Sequence, residues 1–294
     1  MSISEESKNL ATLVGSKGVK LSSGVVLPPV GFGTWDIGDN TQSAQAVKTA
    51  LSTGYRLIDG AAFYGNEVGV GEGIAAALSL GLKRSELFIT SKVWVDNLTY
   101  DKAQASCKKT LCDLKLDYLD LLLIHWPVAP KHGPDWVERN VASWRAFCEL
   151  QDAGLVKHIG VSNFKQHHLQ ALLETGRFPQ VNQLEIHPGY SQHELVKFCQ
   201  GLGMVVEAWS PFGRGAVLGH ELLKAIASKH GVTVAQVCLR FAYQLGVVSL
   251  PKSSNQERML SNLDFFNFTL SEEEMQQLLA LDAQKVGYSG EDPD

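Results

Sequence analysis

The chain has 294 residues, 45% hydrophobic and 19% charged, which is enough apolar material for a large buried core. Its net charge of −5 gives no electrostatic reason to expect a nucleic acid or an anionic membrane as partner. No apolar run approaches the roughly 20 residues of a membrane span. The polar, acidic start is neither a signal peptide nor an Arg-rich transit peptide. Five scattered cysteines (Cys107, Cys112, Cys148, Cys199, Cys238) read as buried thiols in a reducing compartment, so a cytoplasmic location is expected.

Residues 1–17 are expected to be loosely held. Lys17–Leu27 reads as a hairpin turning at Ser22-Ser23-Gly24 and ended by Pro28-Pro29, placed to plug the bottom of a barrel. Val30–Gly33 is the first of a series of strands. Thr41 is the expected N-cap of a helix carrying Ala44, Val47 and Leu51 on one face and stopping at Gly54. Strand two is Arg56–Asp59, followed by a helix from Asn66 to Leu80; strand three is Leu87–Lys92, followed by a helix with Ala103, Cys107, Leu111 and Leu114 on one stripe. Strand four ends the run Leu121–Ile124 in His125, before Trp126-Pro127; it is too short for a globular helix and reads as a strand buried on both faces. A helix over Val137–Ala153, strand Val156–Val161, helix Gln166–Thr175, strand Val181–Ile186, helix Gln192–Leu202 and strand Met204–Trp209 follow. Helical tracts over His220–His230 and Val232–Leu245 precede strand eight, Val247–Leu250, and a helix over Asn255–Asn262. Ser271-x-x-Glu274 is a capping box, with Leu270 and Met275 as its staple.

Eight strands alternating with helices predict an α/β fold, a (β/α)8 TIM barrel with the N-terminal hairpin capping its bottom. Residues 1–294 are expected to form a single domain, with 281–294 as a C-terminal tail. The rival open doubly wound sheet would want a Gly-rich turn between a strand and a helix. Gly71-x-Gly73-x-x-Ala76 matches loosely, but no strand precedes it, so it reads as close helix packing.

Asp59, Lys92 and His125 end three successive strands at steps of 33 residues, about what one βα unit requires. Strand side chains alternate, which puts Leu57, Phe88, Thr90, Leu121 and Leu123 inward beneath the three ionisable groups at one barrel mouth. A lone strand-end histidine is more often a core residue than a catalytic one; the matched ends of the other two strands reverse that weighting. Tyr64 lies in the loop after Asp59 and can reach over the same mouth. A lysine beside it favours the phenolate, Asp59 supplies the counter-charge that a buried lysine needs, and His125 can hydrogen-bond an oxygen without adding a full charge. Asp59, Tyr64, Lys92 and His125 together suit proton delivery to a carbonyl oxygen. The competing reading is a buried Asp–Lys pair beside a loop tyrosine.

From about Val19 to Asn262 the chain resembles the aldo-keto reductase family. The resemblance is carried by Gly31–Trp35, Tyr55–Asp59, Tyr64–Glu67, Ser91–Trp94, Leu123–Pro127, Gly160–Phe164, Val181–Gln183 with His187-Pro188, Ala208–Pro211, and Pro251–Ser253 with Arg258 and Asn262. It is nearest the microbial and protozoan branch, with its diketogluconate reductases and prostaglandin F synthases. The resemblance implies a catalytic tetrad at Asp59, Tyr64, Lys92 and His125, the tyrosine being the general acid. It also implies NADPH/NADP+ bound across the barrel lip, with Gly33, Thr34, Trp35 and Asp59 among the cofactor-binding residues.

The other expected cofactor residues make physical sense too. Ser162, Asn163 and Gln183, at the ends of strands five and six, carry hydroxyl and amide groups able to orient a carboxamide. Trp209 can stack on the nicotinamide where the family usually has tyrosine. Ser210, Pro211 and Gly213 belong to a loop able to fold over a pyrophosphate. Lys252, Ser253 and Arg258 suit a ribose 2′-phosphate, favouring NADPH over NADH. Asn262 is expected at the adenine. Two departures from the family pattern are Ser261, where an acidic residue is common, and Gly60, where threonine is usual and whose absence should loosen the loop carrying Tyr64.

Trp35, Phe63, Tyr64, Trp94, His125 and Trp126 are the expected substrate-binding residues, an aromatic wall suited to a small carbonyl compound. A short tail and a modest loop at Val128–Trp136 predict an open, permissive pocket. A monomer without nucleic-acid or membrane partners is expected. A metal-dependent hydrolase would need a His and carboxylate cluster that this sequence lacks, so no metal is expected. A non-catalytic NADPH-binding redox sensor is the remaining alternative.

Overall fold

The hairpin does plug a barrel. In the computed structural model, which describes residues 5–21, 24, 26–128, 135–173 and 175–293, helix α1 (Glu5–Ser16) leads into β1 (Val19–Lys20), paired antiparallel with β2 (Val26–Leu27). Residues 5–16 are therefore helical rather than loose, with Val14 buried. The expected turn at Ser22-Ser23 and most of the loop at Val128–Trp136 lie outside the described residues.

Eight parallel strands follow: β3 (Phe32–Gly33), β4 (Leu57–Asp59), β5 (Phe88–Val93), β6 (Leu119–Ile124), β7 (Val156–Ser162), β8 (Val181–Glu185), β9 (Val205–Trp209) and β10 (Val247–Leu250). They pair in chain order, and the ring closes through a parallel bridge of Val30 with Ser249 and a bond from Gly33 N to the Pro251 carbonyl (3.0 Å). Gly33 is needed at this seam, because a Cβ there would stand 3.0 Å from the Leu250 carbonyl oxygen.

Alternation sorts the side chains as expected. Leu57, Phe88, Leu121, Leu123, Val181, Val205, Val248 and Leu250 fill the barrel interior, and Leu21 and Leu27 of the hairpin close its bottom. The intervening Ile58, Ile89, Leu122 and Ile124 face the helices in a separate cluster. Strands buried on both faces in this way read as continuous apolar runs.

The helices are α2 (Asn40–Thr53), α3 (Glu67–Ser79), α4 (Tyr100–Leu114), α5 (Trp136–Asp152), α6 (Gln166–Leu173), α7 (His193–Gly201), α8 (Glu221–His230), α9 (Val234–Gln244), α10 (Gln256–Leu263) and α11 (Glu272–Ala280). The N-cap of α2 is Asp39 rather than Thr41: its carboxylate accepts from Gln42 N, and Gln42 reaches back to Asp39 N. Aspartate is the more strongly preferred N-cap of the two, and the reciprocal bond completes a box. The box at Ser271 forms as expected. On α3 the glycines serve packing: a Cβ on Gly71 would lie 2.6 Å from the Leu114 carbonyl oxygen, and one on Gly73 2.6 Å from that of Ala44. Among the cysteines, Cys107, Cys199 and Cys238 are buried, Cys148 is half-buried, and Cys112 is exposed, contrary to expectation, because it lies off the buried stripe of α4. Among the described residues, no helix is long and apolar enough to cross a membrane.

Candidate active site

Asp59 ends β4, Lys92 is the penultimate residue of β5, and His125 follows β6, where its N–H still reaches the Val93 carbonyl (3.1 Å). The barrel brings all three to one mouth. Lys92 Nζ donates to Asp59 Oδ2 (2.8 Å), to the Gly60 carbonyl (2.9 Å) and to Tyr64 Oη (3.1 Å). An ammonium has three N–H groups, so all three of its donors are used.

The loop after β4 is fixed from both sides. Gly60 N bonds the Thr90 carbonyl (2.9 Å) while its own carbonyl accepts from Lys92, so the missing threonine does not leave this turn untied. Asn66 donates to the Thr34 carbonyl (2.9 Å) and to Ser43 Oγ (3.1 Å). The buried Glu67 carboxylate takes Ser91 Oγ (2.6 Å) and Thr110 Oγ1 (3.0 Å), tying α3 to β5 and α4. Gly65 turns the chain between Tyr64 and these anchors at φ 69°.

Electrostatics separates the three side chains above Asp59. Burial alone would lower the Lys92 pKa, but Asp59 and Tyr64 more than offset it and hold the ammonium above the ordinary lysine value. Tyr64 is pushed up by burial, against Lys92, which favours the phenolate. The lysine therefore acts in the expected direction, but removal from water is the larger effect. His125 is held well below its ordinary value by burial and by Lys92, so it is neutral near pH 7. Its Nδ1 is buried with no hydrogen-bond partner among the described residues.

The expected aromatic residues converge here. Phe63 stacks on Trp94 at 3.7 Å and on Trp35 at 5.9 Å, and Trp35 tilts against Tyr64 at 5.0 Å. His125 meets the edges of Tyr64 (5.7 Å) and Trp94 (5.1 Å). Trp126 stands on the other side against Trp209 (6.5 Å).

The expected cofactor residues divide into committed and free groups. Thr34 is buried, with its hydroxyl donating to the Asp59 carbonyl (2.9 Å). Ser162 Oγ donates to the Gln183 carbonyl (2.9 Å). Asn163 donates to the His125 carbonyl and to Ser162 Oγ (both 3.0 Å), and its Oδ1 accepts from Trp209 Nε1 (2.8 Å). The Asn163 amide is thus engaged at both ends within the protein. Gln183 Nε2 donates to Asp59 Oδ1 (2.9 Å) and Glu207 Oε2 (2.8 Å), and its amide oxygen has no hydrogen-bond partner among the described residues. Asn262 is buried, and the nearby Tyr55 hydroxyl donates to the Met259 carbonyl (3.1 Å). Lys252 and Arg258 are exposed at the start of α10, where Ser253 is buried, and neither has an ion-pair partner among the described residues.

Sequence reasoning missed Glu207 and the tail. Glu207 is fully buried beneath Gln183; applying the count of two from Val205 to β9 would have placed it inward. The tail is docked rather than free. Ser289 donates to both oxygens of Glu185 (N 3.1 Å, Oγ 2.7 Å), Tyr288 packs on Tyr190 (4.4 Å), Glu291 pairs with Arg214 and Asp292 with Lys165 (both 2.5 Å). Gly213 belongs to the same contact, since a Cβ on it would stand 3.1 Å from the Gly287 Cα; Ser210 Oγ accepts from Arg214 N (3.1 Å), and Pro211 is buried between them.

Known proteins carry the same arrangement of segments. The chain is 45% identical over 271 residues to glyoxal reductase of Bacillus subtilis, covering 92% of this chain and 94% of that protein. It is 40% identical over 280 residues to the 9,11-endoperoxide prostaglandin H2 reductase of Trypanosoma cruzi, covering 94% of each. A Bombyx mori aldo-keto reductase crystallised in complex with NADP superposes with a TM-score of 0.83 at 35% identity, over 90% of this chain and 92% of that one. The sequence model described as "Aldo/keto reductase family" matches residues 29–283, which is nearly the whole barrel, and the chain belongs to that family of oxidoreductases.

Proposed function

We propose that this protein reduces aldehydes and ketones to alcohols with NADPH, Tyr64 being the general acid. The observation that carries the reading is the position of Lys92 Nζ, which is bonded at once to Asp59 Oδ2 (2.8 Å) and Tyr64 Oη (3.1 Å). A phenol held against an ammonium can release its proton to an oxygen on which negative charge is growing, because the resulting phenolate is stabilised where it forms. Asp59 keeps Lys92 charged while the pair remains neutral overall. The neutral His125 orients the carbonyl oxygen without competing as an acid. The wall of Trp35, Phe63, Trp94 and Trp126 takes the apolar part of the substrate and excludes water.

When bound, NADPH supplies the hydride, which passes from nicotinamide C4 to the carbonyl carbon. The residues present fit it. The unpartnered Gln183 amide oxygen can accept from a carboxamide, with Ser162 and Asn163 beside it. The half-exposed Trp209 indole, pinned by Asn163, offers a ring face, and the segment Ser210–Gly215 runs beside it. Lys252, Ser253 and the unpaired Arg258 can meet a 2′-phosphate at the start of α10. The silkworm relative bound to NADP and the relative named glyoxal reductase support the cofactor and the substrate class.

The test is consumption of NADPH with glyoxal or 4-nitrobenzaldehyde by the wild type and by Tyr64→Phe. The phenylalanine variant is expected to bind NADPH normally and to lose at least a hundredfold in kcat, the range of general acid catalysis. Equal turnover in the variant would remove Tyr64 from the role. A wild type that binds NADPH but consumes none across aldehydes and diketones would favour a sensor.

A further inference from the structure

Beneath the Asp59–Lys92–Tyr64 group lies a second buried carboxyl that this chemistry does not use. Glu207 sits in the middle of β9, in register with Gln183 on β8 and Val248 on β10, and is fully buried. Among the described residues its only hydrogen bond is from Gln183 Nε2 to Oε2 (2.8 Å), and Oε1 is buried with no partner. The same Gln183 nitrogen donates to Asp59 Oδ1 (2.9 Å), so one amide spans two carboxyls and Lys92 neutralises one of them. The charged groups acting on Glu207 are Asp59 from β4 and Lys92 from β5; Gln183 on β8 and Val248 on β10 bring no charge.

Two carboxylates against one ammonium make a buried net charge of −1; with one of them protonated, the group is neutral. A fully buried carboxylate with a single bond and an orphaned oxygen is costly to keep ionised. Burial and the nearby Asp59 push Glu207 up to about 7, against Gln183 and Lys92.

From this geometry we infer that Glu207 is a positioning residue for the reduction: linked through Gln183 to Asp59, it sets by its protonation state the charge beneath Lys92 and therefore the ease with which Tyr64 releases its proton. With Glu207 neutral, Asp59 and Lys92 balance and the developing phenolate meets only the ammonium. With Glu207 ionised, a second negative charge opposes the phenolate and weakens the acid. The proton that leaves Glu207 goes to solvent as the pH rises, and the hydride and proton of the reaction are unaffected in number. The inference rests on the reading of Tyr64 as general acid.

Two measurements on the full-length protein test it. Infrared spectra of the protein without cofactor, recorded across pH 5 to 9, are expected to show a protonated-carboxyl band that disappears near pH 7 and is missing from Glu207→Gln. In NADPH-dependent reduction of glyoxal, the wild-type kcat is expected to fall about tenfold through the same range, the size of a one-unit change in acid strength. Glu207→Gln should hold the low-pH rate throughout, with KM for glyoxal unchanged in both. A merely structural role would lower the rate alike at every pH. A step that persists in Glu207→Gln, or a band that this substitution leaves in place, overturns the inference. A wild type that consumes no NADPH strikes the reading of the function instead, and the infrared titration still decides the state of Glu207. Should Glu207→Gln fail to fold, Glu207→Asp keeps the carboxyl and must shift the infrared titration; an unmoved titration overturns the inference.

Discussion

Each end of the barrel holds an aspartate in a cationic setting, and the two are built differently. At the bottom, Asp120 near the start of β6 takes Arg84 (2.6 Å), Lys157 (3.8 Å) and the backbone N–H of Ile89 (2.9 Å). Both cations also lie over the Tyr118 ring, at 4.0 and 3.9 Å, and Arg84 bonds the Leu87 and Tyr118 carbonyls. At the lip, Asp59 takes a single cation, and that cation passes its third donor to a phenol. The bottom turns the carboxylate and most of the Arg84 guanidinium back onto the fold, with Arg84 Nε left without a partner among the described residues. The lip keeps the half-buried Tyr64 hydroxyl, and a His125 nitrogen without a hydrogen-bond partner among the described residues, beside a set of aromatic rings. The same pairing of charges is a fastener where the cations end on carbonyls and a ring of the fold, and a chemical group where one donor passes on to a phenol.

Three variants sharpen or break this contrast. Lys92→Met should cost roughly a thousandfold in kcat, because the acid loses its partner. It should also destabilise the fold by about 3–5 kcal/mol, since it leaves Asp59 buried and unpaired. Turnover and urea midpoint, measured together, would reveal activity lost out of proportion to stability; a loss of stability alone would make the lip a second fastener. Asp120→Asn should lower stability by about 1–3 kcal/mol through its weakened bonds while kcat stays within twofold, and a large fall in kcat would erase the distinction between the ends. The smallest effect is expected at the rim. Lys252→Ala combined with Arg258→Ala should raise the Kd for NADPH about tenfold and leave NADH and the urea midpoint unchanged, the loss of charge-assisted bonds to one phosphate. Equal weakening of both cofactors would show that these cations meet a group common to both.

The lip was legible because its residues interrupt a regular pattern. Asp59, Lys92 and His125 each close an expected strand at a constant interval, and a period of two points each one inward. Glu207 was missed although it breaks Val205-Val206-Glu207-Ala208 in the same way, because an acid within a strand, unlike one at its end, suggests no mouth. The commitment of Asn163 to Trp209 and His125 was not readable either, since it depends on contacts among residues 38 and 46 positions apart. Burial outweighing Lys92 at Tyr64 is a matter of depth, which periodicity does not report. The N-cap of α2 was legible only to within two residues: Asp39 rather than Thr41 begins it, although Asp39-x-x-Gln42 carries the box signature. The docked tail was unreadable for the same reason as Asn163, its partners Lys165, Glu185 and Arg214 being far away in sequence.

Helix α3 gives the lip its tolerance for error. It begins three residues after Tyr64, and its inner face is made of atoms that are absent: Gly69 lies against Asn40, Gly71 against Leu114 and Gly73 against Ala44, all backbone to backbone. An added methyl at any of the three has no flexible side chain to displace, so the helix itself must move and carry the Asn66 and Glu67 anchors with it. A displacement of half an ångström there is small for packing but large for a 3.1 Å contact between a phenol and an ammonium. Sequence drift in this protein is therefore constrained behind the lip as well as at it, at places where there is no side chain to compare.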